Sequence, residues 1–317
     1  MIKLQTSVET SSSDIRIGYG DNFISVGSCF ADNIGRYMKE CRFNIMVNPS
    51  GIAYNPCSVM KSLQDVILRK KLDQEDIIEN QGLYYSLMHH GDFYALTPEK
   101  LKETIDSNTE KAYQFSRNLT VLMVTFGTAR VYEYIPTGKV AANCHKLPQK
   151  LFRNKLLDTD RIAEEWTLFI KGMQETWPGL KVIFTVSPIR HWKDGAHGNQ
   201  LSKSTLLLAI DKIISSVDRC DYFPAYEIMM DELRDYRFYE EDMLHPSRLA
   251  VEHIRECFFR RYMDEGEIRL LQRIGNLNRA KQHRPIHPES DEWLKFQNKI
   301  KKEEADLDNL LAELRGL

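Results

Sequence analysis

Ser28, Asp242 and His245 have the types and spacing that hydrolytic chemistry uses. Ser28 lies in the string Gly27, Ser28, Cys29, Phe30, Ala31, directly after a short apolar run and directly before an amphipathic one. At such a strand-to-helix junction a serine hydroxyl stands at the sheet edge. Its own N–H and those that follow point outward, where they stabilise negative charge. That is a seat for a nucleophile. The same place suits an N-cap, because a serine oxygen satisfies a free N–H of the first helical turn, and Ser28 alone reads either way. Asp242 and His245 precede Pro246. On a turn leading into a helix, their spacing brings the carboxylate to one imidazole nitrogen and leaves the other to take a serine proton.

Further polar clusters qualify as lining groups. Asn143, Cys144, His145 and Lys146 are consecutive. Neighbours on a strand point to opposite faces, so Cys144 and His145 are poorly placed as a thiol and its base. Asn143, His145 and Lys146 read either as groups that bind a polar substrate in a cleft or as plain structure. Arg190, His191, Lys193 and Asp194 follow an apolar run. The planar fork of Arg190 suits a carboxylate or phosphate on a substrate; a solvated loop, or a pair with Asp194, is the alternative. The nine histidines include no H-E-x-x-H, and His89 and His90 are adjacent, so no metal site is expected. Gly18 and Gly20 precede the first predicted strand instead of following it, the wrong side for a dinucleotide loop. No cofactor is expected.

Short apolar runs alternate with long amphipathic ones, which predicts an α/β fold. Strands are expected at 23–27, 44–48, 119–126, 180–186 and 222–226. The run at 119–126 is apolar apart from Thr120 and Thr125, as suits a central parallel strand. Helices are expected at 31–41, from Pro56, at 99–118, 158–176 and 200–217, and from Pro246 as first helical residue to 263. The stretches 131–134 and 139–142 read as a hairpin across Pro136, Thr137 and Gly138. Residues 81–96, with His89 and His90, read as an irregular hairpin or flap. Beyond 263 the sequence becomes charge-rich and predicts a tail of two helices. Lys299, Lys301 and Lys302 face Glu303, Glu304, Asp306 and Asp308 along the last one, with Leu307, Leu310, Leu311 and Leu314 opposite. That stripe suits packing onto the core or a homodimer contact. The expected division is a domain over 1–263 and a helical extension over 264–317.

With 317 residues the chain is long enough to bury a substantial core. Lys plus Arg number 43 and Asp plus Glu 45, a net charge of −2, which supplies no field for polyanions and argues against nucleic acid as partner. Hydrophobic residues at 42% and charged residues at 28% exclude wholesale disorder. No run approaches the roughly 18 apolar residues of a membrane span, and the first residues lack the apolar core of a signal peptide. A cytoplasmic location is expected. The six cysteines are scattered without a C-x-x-C pair, which predicts reduced thiols.

The string GSCFA at 27–31, with NPSGIAYNP from Asn48, TFGTARVY from Thr125, NCHK from Asn143, SPIRHWKDG from Ser187 and DMLHPS from Asp242, resembles the GSCFA family of SGNH-type, GDSL-like hydrolases. The resemblance spans about 23–260. It implies a three-layer αβα sandwich with a mainly parallel central sheet, Ser28 as nucleophile, His245 as general base and Asp242 orienting it. It also implies an oxyanion hole from the N–H groups of Ser28 and of Gly51, the glycine after the second strand. SGNH enzymes usually add an asparagine from a G-x-N-D block; here that stretch reads Gly127, Thr128, Ala129, Arg130, leaving Thr128 or Asn143 as the third donor. The G-D-S aspartate is also missing, Val26 and Gly27 standing before Ser28. The expected activity is a serine esterase or acyl hydrolase for a small polar ester, such as an acetylated carbohydrate, with His145, Lys146, Arg190 and His191 binding the substrate. An O-acyltransferase using the same acyl-enzyme, and a binding protein that keeps the fold without turnover, are the alternatives.

Overall fold

The computed structural model describes residues 6–10 and 13–316. β1 (Asn22–Gly27) leads through α1 (Cys29–Glu40) to β2 (Asn44–Val47), and α2 (Pro56–Ile67) follows. An antiparallel sheet of β3 (Ile77–Asn80), β4 (Leu83–Ser86) and β5 (Tyr94–Ala95) precedes α3 (Pro98–Ser116) and β6 (Val121–Phe126). A second, of β7 (Arg130–Tyr134), β8 (Lys139–Ala141) and β9 (Phe152–Leu156), precedes α4 (Thr159–Thr176) and β10 (Lys181–Val186). Then come α5 (Gly195–Ile214), β11 (Cys220–Phe223), the single turn α6 (Ala225–Glu227), α7 (Arg248–Tyr262), α8 (Glu265–Gln282) and α9 (Asp291–Leu314).

The central sheet has five parallel strands in the order β11-β10-β6-β1-β2. Counted along the chain that is 2-1-3-4-5 read from the β2 edge, so the direction of winding reverses between β1 and β6. In open α/β sheets the crevice outside the carboxyl ends at such a reversal is where ligands bind. Alternation along each strand sorts side chains to two cores. Phe23, Val121, Met123 and Ile183 pack with α1, α7, α8 and α9 on one face, while Ile24, Leu122, Val124 and Phe184 pack with α2, α4 and α5 on the other. This is the α/β class that the apolar runs predict, with helices on both faces of the sheet.

Several details differ from the expectation, each for a local reason. The helix predicted from Pro246 starts at Arg248 with Ser247 as its N-cap, because Pro246 is held in an isolated bridge to Tyr239. The last strand is 220–223 and not 222–226, since Pro224 ends it and Tyr226 turns into α6. The predicted flap is a three-stranded sheet, and the hairpin gains β9 as a further strand. The tail is two helices, and its apolar stripe is used within the chain: Leu307 and Leu311 are buried in one core with Phe23, Phe43 and Phe259. The boundary at 263 therefore does not separate two cores. Among the described residues no helix is long and apolar enough to cross a membrane.

Candidate active site

The junction after β1 is set by a glycine. Gly27 has φ of +132°, and a Cβ there would lie 2.0 Å from the Thr125 carbonyl oxygen, so only glycine lets β1 turn out beside β6. Ser28 follows as the N-cap of α1, its hydroxyl accepting from the Phe30 N–H at 3.3 Å. Its side chain is shut in, the residue being only 1% exposed. Among the described residues nothing accepts the Ser28 hydroxyl proton, and no hydrogen bond joins Ser28 to His245.

Asp242 and His245 are brought together as their spacing predicts. They lie on a turn closed by Glu240 N–H to the His245 carbonyl (2.8 Å) and Met243 N–H to the Glu240 carbonyl (2.9 Å), with Met243 at positive φ. The Asp242 carboxylate accepts from the N–H groups of Leu244 and His245, each at 2.9 Å, and from His245 Nδ1 at 2.5 Å. The His245 N–H and ring, then the Leu244 N–H, hold the Asp242 carboxyl down at about 2. A carboxylate accepts only, so Nδ1 carries the proton and Nε2 is left to act as a base.

His191 stands at the end of the sheet. It follows β10, and its Nε2 stands 3.1 Å from where a Cβ of Gly127 would lie, just beyond β6. Burial, then the charges of Lys203 and His245, push the His191 imidazole down to about 4, so it is neutral at pH 7. Tyr54 packs edge-on to it at 5.4 Å, and the Tyr54 carbonyl accepts from the Gly127 and Thr128 N–H groups at 2.7 and 3.0 Å. The segment 48–54 thus crosses the carboxyl ends of β1 and β6, tied down again by Ala53 N–H to the Gly27 carbonyl at 3.1 Å.

The oxyanion assignments of Ser28 and Gly51 need correction, because the backbone that builds these turns uses up both N–H groups. The Ser28 N–H donates to the Thr125 carbonyl at 3.1 Å, and the Gly51 N–H to the Asn48 carbonyl at 2.8 Å. The Thr128 hydroxyl pairs with that of Ser202 at 2.9 Å. Asn143 accepts from the His145 N–H at 2.8 Å, and among the described residues its Nδ2 has no acceptor. Two of the proposed lining groups lie elsewhere. His145 is on a left-handed turn, not a strand, and its buried ring stacks on Tyr85 and contacts the Ser86 carbonyl at 2.7 Å. Lys146 is exposed on the same turn. Burial raises the thiols of Cys29 and Cys144, the opposite of an activated nucleophile. Asp194 pairs with Arg130 at 3.6 Å, and among the described residues no ion pair joins it to Arg190.

Sequence reading missed two residues of this region. Asn48, at φ of +43°, accepts the Gly27 N–H on Oδ1 at 2.9 Å while its Nδ2 is buried without a partner. Lys203 is completely buried on α5, its Nζ donating to the carbonyls of Gly127 and Ser187 at 2.7 Å each. Burial, chiefly, pushes it down to about 7. A signal for Lys203 was present: it falls three and seven residues before Leu206 and Ile210, on the apolar face of α5. Asn48 gives no such signal, since only the β1–β2 pairing brings it to Gly27. A comparison with curated proteins returns no match. The model of the GSCFA family matches residues 22–258, and the chain belongs to that family.

Proposed function

We propose that the protein is a serine esterase of the SGNH kind. Ser28 Oγ attacks the ester carbonyl and forms the acyl C–O bond while His245 Nε2 takes its proton. The tetrahedral intermediate then expels the alcohol, which receives that proton, and water releases the acid by the reverse steps. Asp242 stays ionised and holds the imidazolium. The observation that carries this reading is the Asp242–His245 pair at 2.5 Å, whose Nε2 has no hydrogen-bond partner among the described residues. A buried donor without an acceptor among the described residues, and so available for the oxyanion, is Asn48 Nδ2. Because Ser28 is 1% exposed, turnover requires its surroundings to open as substrate enters.

That same burial, with the Ser28 hydroxyl used as a helix cap, favours a second reading: a binding protein that keeps the fold without turnover. A fluorophosphonate probe decides between them. Esterase chemistry predicts stoichiometric labelling that disappears in Ser28→Ala, together with a fall of at least about 10³-fold in hydrolysis of a simple acetyl ester by a variant that still folds. No labelling of the folded wild-type protein selects the binding reading.

A further inference from the structure

A cleft of about 570 Å³ opens beside the acid–base pair, between the loop after β10 and residues 230–244, with Asp242 in its lining. Its charges can be accounted for one by one. Arg234 pairs with Asp231 at 3.1 Å, Asp235 accepts from the Arg237 N–H at 2.9 Å and faces its guanidinium at 3.6 Å, and Asp242 is held by His245. Arg190 is left over. Among the described residues no carboxylate lies within 4.0 Å of it, and its Nε is buried with no acceptor. An N–H removed from water without an acceptor is costly, and a charged donor more so. Its guanidinium lies over the ring of Trp192, 5.1 Å from the ring centre.

Aromatic surface shares the cleft with this cation. Trp192 is 49% exposed and Tyr236 76% exposed, and Tyr236 and Tyr239 lie 6.1 Å apart, all lining the same cleft. Exposed rings beside an unpaired guanidinium form a surface for a flat or cyclic group that carries an anion. We propose that this cleft is a subsite for an anionic, ring-bearing substrate. Arg190 takes its carboxylate or phosphate, Trp192 and Tyr236 take the ring, and the ester bond extends toward His245. The ester rests on the esterase reading above; the anion subsite does not.

The test has a kinetic arm and a binding arm. In the first, 4-acetoxybenzoate and its neutral methyl ester are compared as substrates. The expected result is a preference of about tenfold or more for the anion in kcat/KM, carried by KM, that falls to about unity in Arg190→Gln and is partly restored in Arg190→Lys. In the second, benzoate, phenyl phosphate and neutral benzyl alcohol are titrated calorimetrically into Ser28→Ala. Either anion should bind at least about tenfold tighter than the alcohol, and the stronger of the two names the group preferred; Arg190→Gln should abolish the difference. Hydrolysis of both esters without an anion preference overturns the subsite and leaves the esterase standing. Arg190-dependent anion binding with no hydrolysis of either ester supports the subsite and removes the esterase. Equal binding of anions and alcohol overturns the subsite whatever the kinetics.

Discussion

The Asn48 amide has two ends with separable duties, and one substitution tests them apart. Asn48→Asp keeps an oxygen for the Gly27 N–H and removes the donor that has no other use. If Nδ2 stabilises the oxyanion, kcat should fall by about 10²- to 10³-fold with KM little moved, the range for losing one oxyanion donor. Wild-type kcat in a folded Asn48→Asp protein would remove Asn48 from the mechanism. Lys203 calls for a different measurement, because it reaches the site only through the carbonyls it holds. Unfolded, a lysine keeps its proton to about pH 10.4; folded, Lys203 gives it up near 7. Between those values the unfolded chain binds more protons, so this group's contribution to stability rises with pH. The neutral amine still has two N–H groups for the carbonyls of Gly127 and Ser187. Denaturant unfolding at pH 7 and 9.5 should therefore show the wild type gaining stability relative to Lys203→Met at the higher pH. A difference that is flat or falls with pH would mean that Lys203 stays charged in the fold.

Among the elements, β1, β6 and β10 were legible because burial on both faces leaves a mainly apolar run, interrupted only by small hydroxyl residues such as Ser25, Thr125 and Thr185, whereas the half-exposed β11 was placed two residues late. β9 was not, since its sequence Phe152, Arg153, Asn154, Lys155, Leu156 is mostly solvent-facing and it pairs with β7 although β8 intervenes in the chain, Glu133 standing opposite Arg153. The Asp242–His245 pair was legible because a single turn holds both residues. The Ser28 and Gly51 N–H groups were misread as oxyanion donors because a motif names residues but does not say which N–H groups the turns consume. Glycines mark where the backbone, not the side chain, sets the site. Gly27→Ala puts a methyl against the Thr125 carbonyl in a left-handed conformation, and should cost about 3 kcal/mol or more by prying β1 from β6. Gly138→Ala shares the positive φ but meets nothing within 4 Å, so about 1–2 kcal/mol is expected. Thermal or urea unfolding of the two variants gives the comparison, and equal losses would mean that Gly27 is kept for its φ alone.

At the scale of the molecule, the question is whether the last two long helices are an appendage or part of the fold that positions the site. Leu307 and Leu311 are 0% and 3% exposed, and they pack in one core with Ile274 and Leu277 of α8 and with Phe43 and Phe259. Polar ties follow the same seam: Arg42 holds Glu304 at 2.8 Å and Asp308 at 2.5 Å, and the Asn278 side chain donates to the Glu40 carbonyl at 2.9 Å. Partly exposed ion pairs contribute little, so the apolar seam must supply most of the attachment. A buried leucine cut to alanine costs about 2–5 kcal/mol through lost transfer energy and the cavity left behind. If α9 shares the core, Leu307→Ala should shift the whole urea transition by that amount and leave it single, with tryptophan fluorescence and circular dichroism moving together. The core that loses this leucine is the one behind α1, the helix Ser28 caps, so labelling by the fluorophosphonate probe should fall at the same urea concentration as the fold. Two separated transitions, with labelling surviving the first, would instead make α8 and α9 an independent attachment to a domain that keeps its site without them.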